Sequence, residues 1–571
     1  METIVKPFGY INKNRNIITC YAIGLILLIV LSHYGKFCDE FDVMTGSWLI
    51  SKGWILYKDI FSHHMPFTYY FMAIFHLFGV SSPLGLRYIF VMVVFSYFLF
   101  IAFFFGKRID KTVFGLALIM YAMTSLFFSG QMVLADSFFA MSVAIIFLEV
   151  YVNPELKFIF TDQIIISVST FVAITSTQIA LYPLIIYYIF YITHRIYSAV
   201  KAKQIVKYAI DDAKFFSIVL TPFIIWFIYM MVTDSVGAFI SNGLIFNIKY
   251  YSKFVNDDTP ITLVTNHLKV LPTYVWRIFL NLVSFKNFKE FAYNFFPSIM
   301  KASLIIFVIV QIKKKNYIFS FLFATFTYFC NMRAERFHET PFNIICIMML
   351  SIMIVEYYRK VKIAGLSKYS IAVLVSLWLI VIVFTYNFSL FISTERKIYE
   401  TNDVIEMIKS ATNDGDTIWC APLSPEIYLI TNRLPADGNI FYLPWQSAVP
   451  NNNQRIIENL INKQPKIIYF VSSRKIYGYK LMEYGNPIYS YLQKNYFTMP
   501  SNENIYYNNL YKEEMFSLKN LDSCKVHSFN PDLKQSTRLI AQDQRTFLIA
   551  GRRSRRHSLL PGFDLCRCQV V

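Results

Sequence analysis

Apolar runs of nearly membrane-spanning length recur along most of this chain and constrain its fold more than any other feature. A helix needs about 20 mostly apolar residues to cross the hydrocarbon core of a bilayer. Hydrophobic residues make up 56% of the sequence and charged residues only 16%, which is more apolar surface than a water-soluble domain can bury. The sequence therefore predicts a polytopic α-helical membrane protein.

The apolar runs predict about eleven transmembrane helices. They lie near residues 17–33, 87–105, 113–128, 137–152, 163–177, 179–192, 216–232, 296–311, 317–331, 341–357 and 369–386. If these spans alternate, five short basic stretches fall on one side: Lys13 with Arg15, "GKRIDK", "HRIYSAVKAKQ", "KKK" and "RKVK". The positive-inside rule assigns that side to the cytoplasm. The net charge of +18 is thus spread over separate juxtamembrane clusters, unlike the single basic groove of a nucleic-acid-binding protein.

The chain divides into three parts, of which residues 1–386 are the transmembrane domain. After about residue 387, "DVIEMIKSATNDGDTIWCAP" predicts an amphipathic helix, a turn and a short buried strand, and "KQPKIIYFVSS" predicts a second strand. We expect residues 387–512 to form a small extracytoplasmic α/β domain. Residues 513–571 are rich in Arg, where the rest of the chain prefers Lys, Ile, Asn and Tyr, and are interpreted as a disordered or non-homologous tail.

The first outer loop, "CDEFDVMTGSWLISKGWILYKDIFSHHMPF", crowds acids and histidines at the membrane surface. The apolar residues of "FDVMTGSWL" recur at helical spacing, with Asp42, Thr45 and Lys52 on the opposite side, which predicts a helix lying in the interface. "FTYYFMAIFHLFGV", after Pro66, is too short for an ordinary span and favours an interfacial or re-entrant helix. The loop is thus predicted to be two surface helices joined by "YKDIFSHH".

Carboxylates beside the first span are the leading candidates for chemistry. Acidic side chains at a membrane cost energy when buried, so they are either solvated or used. Asp39 and Glu40 lie at the exit of the first span, where a carboxylate can act as general base on an acceptor hydroxyl or amine. Asp136 closes "SGQMVLAD", where it either caps the next helix or faces the same outer cavity and binds a substrate or metal.

Other residues of the outer face are predicted to bind substrate. In the first loop these are Asp42, Tyr57, Asp59, His63 and His64. Because adjacent residues of a helix point about 100° apart, His63 and His64 would chelate one ion poorly. We expect one of them to hydrogen-bond a sugar or phosphate instead. Gln178, in the tight outer turn "TSTQIALYP", either satisfies a helix end or contacts substrate.

The outer turn "NMRAERFHETPF" carries Arg333, Arg336 and His338, although the positive-inside rule gives no reason for cations on that face. A guanidinium presents a planar fork suited to phosphate oxygens. These residues either pair with Glu335 and Glu339 or, as we predict, bind an anionic lipid head group.

The order "DEFD", then "GSWLISKGWILYKDIFSHHMPFTYYFMAIFHLFG", then an Arg opening the next span resembles the first outer loop of bacterial GT-C glycosyltransferases. These are relatives of the protein O-mannosyltransferases and of the aminoarabinose transferases that modify lipid A. "ADSFFA", "TSTQIALYP", "RAERFHETPFN" and "PEIYLITNRLPADG" support the resemblance, which loosely covers residues 16–511.

The resemblance implies a GT-C-like fold and an enzyme of the bacterial inner membrane with its active site on the extracytoplasmic face. It implies transfer of a sugar, with inversion, from a polyprenyl-phosphate-linked donor to a lipid, glycan or protein acceptor. Asp39 corresponds to the family's presumed base, with Glu40 beside it, and Asp136 to a second acid that is often Glu in relatives.

Metal dependence and the competing function stay open. The eight Cys show no metal-ligand spacing, and no cofactor is expected, with a divalent metal as the alternative. The competing function is a flippase or transporter of polyprenyl-linked lipid without catalysis. Such proteins usually show broken helices in two matching halves and charges at the midplane, neither of which is evident in this sequence.

Overall fold

The computed structural model describes residues 2–255, 265, 269, 287–331, 336–363, 370–394, 398, 403–499 and 502–513. This part of the chain is mostly helical, with a small sheet near its C-terminal end. The main helices before residue 395 are α1 (Glu2–Leu31), α2 (Cys38–Ser51), α3 (Phe67–Leu77), α4 (Pro83–Phe105), α5 (Lys111–Phe128), α6 (Ala135–Val152), α7 (Phe160–Ser176), α8 (Leu181–Ala202), α9 (Ile205–Val232), α10 (Phe288–Lys313), α11 (Tyr317–Phe329), α12 (Thr340–Ile363) and α13 (Ser370–Thr394). Two π-helical segments, Phe239–Ile245 and Asn247–Tyr251, follow α9.

Seven helices of the described chain are long and apolar enough to cross a membrane. They are Pro83–Phe105, Lys111–Phe128, Ala135–Val152, Gln178–Ala202, Ile205–Val232, Phe288–Lys313 and Arg336–Lys360. Each of the eleven predicted spans overlaps a helix over most of its length, but the apolar segments Ile17–Leu31, Phe160–Ser176, Tyr317–Phe329 and Trp378–Thr394 are shorter. The helical bundle is therefore confirmed, and the total of eleven spans stays a prediction.

α12 packs against both α5 and α6, and these three are the most buried of the candidate spans, whereas α9 is largely exposed. Close approach of α1 to α5 depends on small residues. A Cβ atom built on Gly24 would lie 2.6 Å from Cγ of Leu118, so a larger residue would push the two helices apart. Small residues serve the same purpose at many helix contacts inside membranes.

Two helices form in the first loop as predicted, but the polar side of α2, expected at the surface, is buried. Residues 40–49 are all buried, including Asp42 and Thr45. α3 packs against α2, and so does a short helix of the C-terminal domain, to which Thr45 Oγ1 is tied by donating to the carbonyl of Pro425 at 2.8 Å. The side expected to face water is thus covered by a segment about 380 residues further along the chain.

Gly46 is required where α2 and α3 meet. A Cβ atom at this position would lie 2.7 Å from the ring of Tyr69, which is itself fully buried. The close contact brings the Tyr69 hydroxyl within reach of the acidic face of α2.

The C-terminal domain has the predicted α/β character. Its helices are α14 (Asp403–Ala411), α15 (Glu426–Thr431), α16 (Asn452–Lys463) and α17 (Asn486–Asn495). Its strands are β1 (Thr417–Ala421), β2 (Leu434–Pro435), β3 (Ile467–Phe470), β4 (Lys475–Ile476), β5 (Tyr479–Lys480), β6 (Tyr496–Met499) and β7 (Asn502–Asn508). The predicted amphipathic helix corresponds to α14, and the two predicted strands correspond to β1 and β3.

The main sheet has the order β2-β1-β3-β7-β6, parallel among β2, β1 and β3 and antiparallel from β3 through β7 to β6. Successive residues of a strand point to opposite faces, so a central strand buried on both faces is apolar throughout. In β1, Ile418 and Cys420 join the core shared with the helical bundle, whereas Trp419 and Ala421 join the domain's own core. The sheet therefore rests on the outer loop through one face.

The predicted tail lies outside the described residues from position 514 onward, and so does Arg333.

Candidate active site

A fully buried ion pair between Glu40 and Arg87 organises the entrance of the site. Arg87 Nε donates to Glu40 Oε1 at 2.8 Å, and Nη2 donates to Oε2. The backbone N–H of Val133 also donates to Glu40 Oε1, at 2.9 Å. The other donor contacts of Arg87, at 2.6–2.9 Å, go to the carbonyls of Ser32, Tyr34 and Gly35. The pair thus joins the end of α1, the start of α2, the start of α4 and the turn before α6.

These contacts occupy both oxygens of the Glu40 carboxylate. A bidentate arginine–carboxylate contact fixes the position of the carboxylate as well as its partner. Glu40, predicted as part of the catalytic pair, is thus placed where it positions the loop.

Asp39 is the neighbouring residue, but its surroundings differ sharply. It lies in the first turn of α2 and is only half-buried, with Oδ1 at 3.4 Å from the Cys38 thiol. The N-cap of α2 is Phe37, so Asp39 does not cap the helix. A negative charge in the first helical turn is favoured by the helix dipole. Asp39 is accordingly an accessible, ionisable carboxylate at the outer end of the first helix.

Asp42 lies one helical turn further along α2 and is buried. Its Oδ2 accepts a hydrogen bond from the Tyr69 hydroxyl, while within the described chain its Oδ1 is buried without a hydrogen-bond partner. Burial raises the pKa of the Asp42 carboxyl well above its usual range, the Tyr69 hydrogen bond opposes that rise, and the charge of Asp39 adds to it. His64 Nε2 lies 3.8 Å from Asp42 Oδ2, and Ser62 Oγ lies 3.1 Å from the Tyr69 hydroxyl.

Asp136 pairs with His338, which lies about 200 residues away in sequence. The His338 Nδ1 atom is 3.0 Å from Asp136 Oδ1, and both side chains are mostly buried. The alternative that Asp136 caps α6 is wrong, because the N-cap is Leu134 and Asp136 lies within the first turn. The pair thus joins the outer ends of α6 and α12.

Aromatic contacts place the Asp136–His338 pair beside the start of α2. The ring of His338 lies 4.0 Å, centroid to centroid, from that of Phe337. Phe337 in turn lies 4.9 Å from Phe37, the residue that precedes α2, and it packs on the cluster formed by Phe37, Met132 and Leu134. The structure therefore brings the first loop, the turn before α6 and the turn before α12 together at one end of the helical bundle.

The residues between α2 and α3 hold the loop's own shape. The Tyr57 hydroxyl donates to the carbonyl of His64 at 2.8 Å, and exposed Asp59 accepts at 2.8 Å from the backbone of Ile55. The π-helical segments close over this loop, where Asn247 Nδ2 donates to the His63 carbonyl at 2.7 Å. His63 and His64 lie with ring centroids 4.2 Å apart.

Gln178 donates to the Gly243 carbonyl, so it ties the turn before α8 to the π-helical segment after α9. This hydrogen bond gives the Gln178 side chain a structural role. The predicted role of Gln178 and of the loop residues in substrate binding stays a prediction.

Of the basic outer turn, the structure describes Arg336 and His338. The guanidinium carbon of Arg336 lies 3.5 Å from the ring centroid of Tyr293, a cation–π arrangement. Glu339 lies 3.5 Å from Lys301 Nζ. Stacking on Tyr293 thus holds the guanidinium of Arg336. In the sequence, Arg336 lies two residues before His338.

Within the described ranges, no three His, Cys, Asp or Glu side chains are grouped closely enough to hold a metal ion. Contacts at the candidate site that the sequence did not predict include the hydrogen bond from Tyr69 to Asp42 and the binding of Glu40 by the Arg87 guanidinium. An arginine inside an apolar helix is costly unless paired, and that cost is a sequence signal that could have drawn attention to the Glu40–Arg87 pair.

Comparison with known proteins does not assign the chain to a family. No family model matches the chain, and neither does any curated protein at a significant level. Two crystal structures of an oligosaccharyltransferase from Archaeoglobus fulgidus are similar. The complex with Zn and sulfate has 12% identity and a TM-score of 0.46, covering 79% of this chain and 67% of that chain. The apo form has 11% identity and a TM-score of 0.45, covering 79% and 69%. Similarity at this level does not assign the activity.

Proposed function

We propose that this protein is an integral-membrane glycosyltransferase that uses a polyprenyl-phosphate-linked sugar as donor. The observation that carries the proposal is the contrast between two adjacent carboxylates. Glu40 is held in a buried ion pair with Arg87, whereas Asp39 is only half-buried in the first turn of α2. This arrangement supports a reaction in which one accessible carboxylate, held in a fixed position, accepts a proton. The resemblance of the first loop to GT-C enzymes supports the same reaction.

Asp39 is the base in this proposal. An acceptor hydroxyl or amine loses its proton to the Asp39 carboxylate as its oxygen or nitrogen attacks the anomeric carbon. The bond between that carbon and the phosphate oxygen breaks, and polyprenyl phosphate leaves with the electron pair. A single displacement of this kind inverts the anomeric centre.

Stabilisation of the departing phosphate is assigned to the turn before α12. The negative charge that develops on the phosphate is stabilised by preorganised cations and hydrogen-bond donors. Arg336, stacked on Tyr293, and His338, oriented by Asp136, are the described groups suited to this task. Arg333 is proposed to join them.

Asp42, His64 and Tyr69 form the wall next to the base. Asp42 lies one turn below Asp39, and the Tyr69 hydroxyl fixes one of its oxygens. The buried second oxygen of Asp42 is a hydrogen-bond acceptor suited to a sugar hydroxyl, because a buried acceptor without a partner is costly until a donor reaches it. We assign this group to the binding of the donor sugar.

The proposed enzyme acts at the extracytoplasmic face of a bacterial inner membrane, and its acceptor is a lipid, a glycan or a protein. The basic turns at the opposite ends of the helices support this orientation.

A direct test uses the purified full-length protein in phospholipid nanodiscs with polyprenyl-phosphate monosaccharides labelled in the sugar. Addition of bacterial membrane lipid as acceptor is expected to release unlabelled polyprenyl phosphate and to move the label to the acceptor. An Asp39→Asn variant run in parallel controls for contaminating enzymes. In a parallel assay with the protein in sealed proteoliposomes, movement of intact donor lipid between leaflets without cleavage would instead establish the transporter function.

A further inference from the structure

A cleft of about 380 Å³ lies at the end of the bundle away from the candidate active site. Asp136 lies at the first turn of α6, whereas the cleft is bounded by the last turn of the same helix. Its walls are Arg108, Val150, Tyr151, Val152, Pro154, Gln311, Lys314, Asn316, Phe319 and Phe323. The volume lies within the range of roughly 300–1,000 Å³ that is typical of small-molecule sites.

Arg108 and Lys314 line this cleft, and the ion pairs that they form with Asp162 and Glu356 are long. Lys314 Nζ lies 3.3 Å from Glu356, and Arg108 Nη2 lies 3.6 Å from Asp162. Strong charge-assisted contacts are shorter, at about 2.7–2.9 Å. An incoming anion can therefore compete for both cations without breaking a tight ion pair.

The other polar side chains of the cleft are the amides of Gln311 and Asn316 and the phenol of Tyr151, whose hydroxyl donates to Glu356 Oε1 at 3.2 Å. Gln311 is buried, and its Oε1 accepts from Asn316 Nδ2 at 3.2 Å. The Arg108 guanidinium carbon also lies 5.4 Å from the ring centroids of both Phe104 and Phe105. These cation–π contacts help to fix the position of the guanidinium. The cleft thus combines two cations and two amides with an aromatic wall.

The surroundings indicate what kind of anion the cleft receives. The exposed cations Lys107, Lys313 and Lys315 flank the cleft in sequence, so basic side chains are concentrated at this end of the bundle. The adjoining face of α11 exposes Tyr317, Ile318 and Phe321, each more than 60% accessible. A basic cleft beside an apolar helix face suits an amphiphile with an anionic head and an acyl tail. Basic pockets between helices at the cytoplasmic surface commonly bind anionic lipid head groups.

We propose that this cleft binds the phosphate head group of an anionic phospholipid from the leaflet on the basic side of the protein. The phosphodiester lies between Arg108 and Lys314, and an acyl chain follows the exposed face of α11. The site is separate from the proposed sugar transfer, because it lies at the opposite end of α6.

Native mass spectrometry of the full-length protein, delipidated in detergent, tests this proposal. The probes are phosphatidylglycerol and phosphatidylcholine with the same acyl chains, and glycerol 3-phosphate and inorganic phosphate as soluble anions. We expect one phosphatidylglycerol to be retained with a preference of about tenfold over phosphatidylcholine, and Lys314→Gln to reduce its retention by about tenfold, as loss of one charge-assisted contact predicts.

Lys313→Gln is the matched control, because Lys313 is an exposed neighbour on the same helix that does not line the cleft. Equal loss in Lys313→Gln and Lys314→Gln would show diffuse surface attraction and overturn the proposal. Displacement of the lipid by equimolar glycerol 3-phosphate or phosphate would assign the cleft to a soluble anion. If Lys314→Gln fails to fold, Arg108→Lys serves instead, since it keeps the charge and removes the fork; undiminished retention there would also count against the site.

Discussion

Arg87 holds both carboxylate oxygens of Glu40 in a part of the protein that solvent does not reach. The same guanidinium binds the carbonyls at the end of α1, so a single side chain determines where the first span stops and where α2 starts. Asp39 is positioned by this contact because it is adjacent to Glu40 in the first turn of α2. The function that we propose therefore depends on a structural ion pair next to the reacting group.

The ion pair gives the first prediction. Glu40→Ala and Arg87→Ala are each expected to lower stability by about 3–5 kcal/mol, because each leaves one buried charge without its partner. Thermal unfolding in detergent measures the effect, and the double variant should lose less than the sum of the single losses. Lys58→Ala is the control, because Lys58 and Asp234 form an exposed pair at 3.2 Å whose loss should leave the melting temperature nearly unchanged. Full additivity would contradict direct coupling of Glu40 and Arg87.

The second prediction concerns the base. Asp39→Asn keeps the size of the side chain but removes its ability to accept a proton, so turnover should fall by about 10²–10⁴-fold while folding and donor binding survive. Transfer of labelled sugar to the acceptor measures turnover, and Asp234→Asn on the outer segment provides an identical substitution at an exposed position. Near-normal transfer by Asp39→Asn would move the assignment to Asp136.

The third prediction concerns the pH dependence of stability. The pKa of Asp42 is raised in the folded protein, so its stabilising contribution is complete below the unfolded value of about 4 and is lost as pH rises through the folded pKa. Asp42→Asn should therefore melt at a higher temperature than the wild type near pH 8, with the difference shrinking toward pH 4. Thermal unfolding of both proteins across this range measures it. A difference in melting temperature that is constant with pH would show that folding does not raise the pKa of Asp42 and would contradict the prediction.

The fourth prediction concerns the donor phosphate. Arg336→Ala and Arg333→Ala should each raise the donor KM or lower kcat by roughly tenfold or more, because a charge-assisted hydrogen bond contributes about 1.5–3 kcal/mol. Arg336→Lys should recover only part of the loss, since a lysine keeps the charge without the planar fork. Arg359→Ala, at the opposite end of the bundle, is the control. Unchanged kinetics in both outer-turn variants would leave these arginines with a structural role.

The fifth prediction concerns orientation. A cysteine introduced at exposed Lys58 should react with a membrane-impermeant maleimide added to intact cells, whereas one at exposed Lys315 should react only after lysis. Labelling is compared with that of the unsubstituted protein, which has cysteines of its own. The reverse pattern would invert the topology.

The helices and much of the C-terminal domain could be predicted from sequence, because each depends on short-range patterns. A bilayer leaves no water for backbone groups, so a long apolar run must satisfy its own hydrogen bonds as a helix. The eleven predicted runs each overlap a helix over most of their length for this reason. β1 and β3 were predictable because a short apolar stretch bounded by turn residues favours a buried strand.

The burial of α2 could not be predicted in the same way. Its sequence reads as amphipathic, and Asp42 and Thr45 were expected to face water. Thr45 instead donates to Pro425, and Asp42 accepts from Tyr69. No local pattern signals that a domain encoded several hundred residues later will cover a helix.

By itself, the sequence determined that the chain is a bundle of apolar helices with a small α/β domain, and that its acids gather in the first outer loop. Only the tertiary structure decided which acid is engaged and which is accessible, since Arg87 and Val133 bind Glu40, whereas the neighbouring Asp39 is half-buried. It also decided that Asp136 meets His338. The physical reason is that hydrogen bonds and ion pairs act over a few ångströms, so they depend on which distant segments the packed helices bring together.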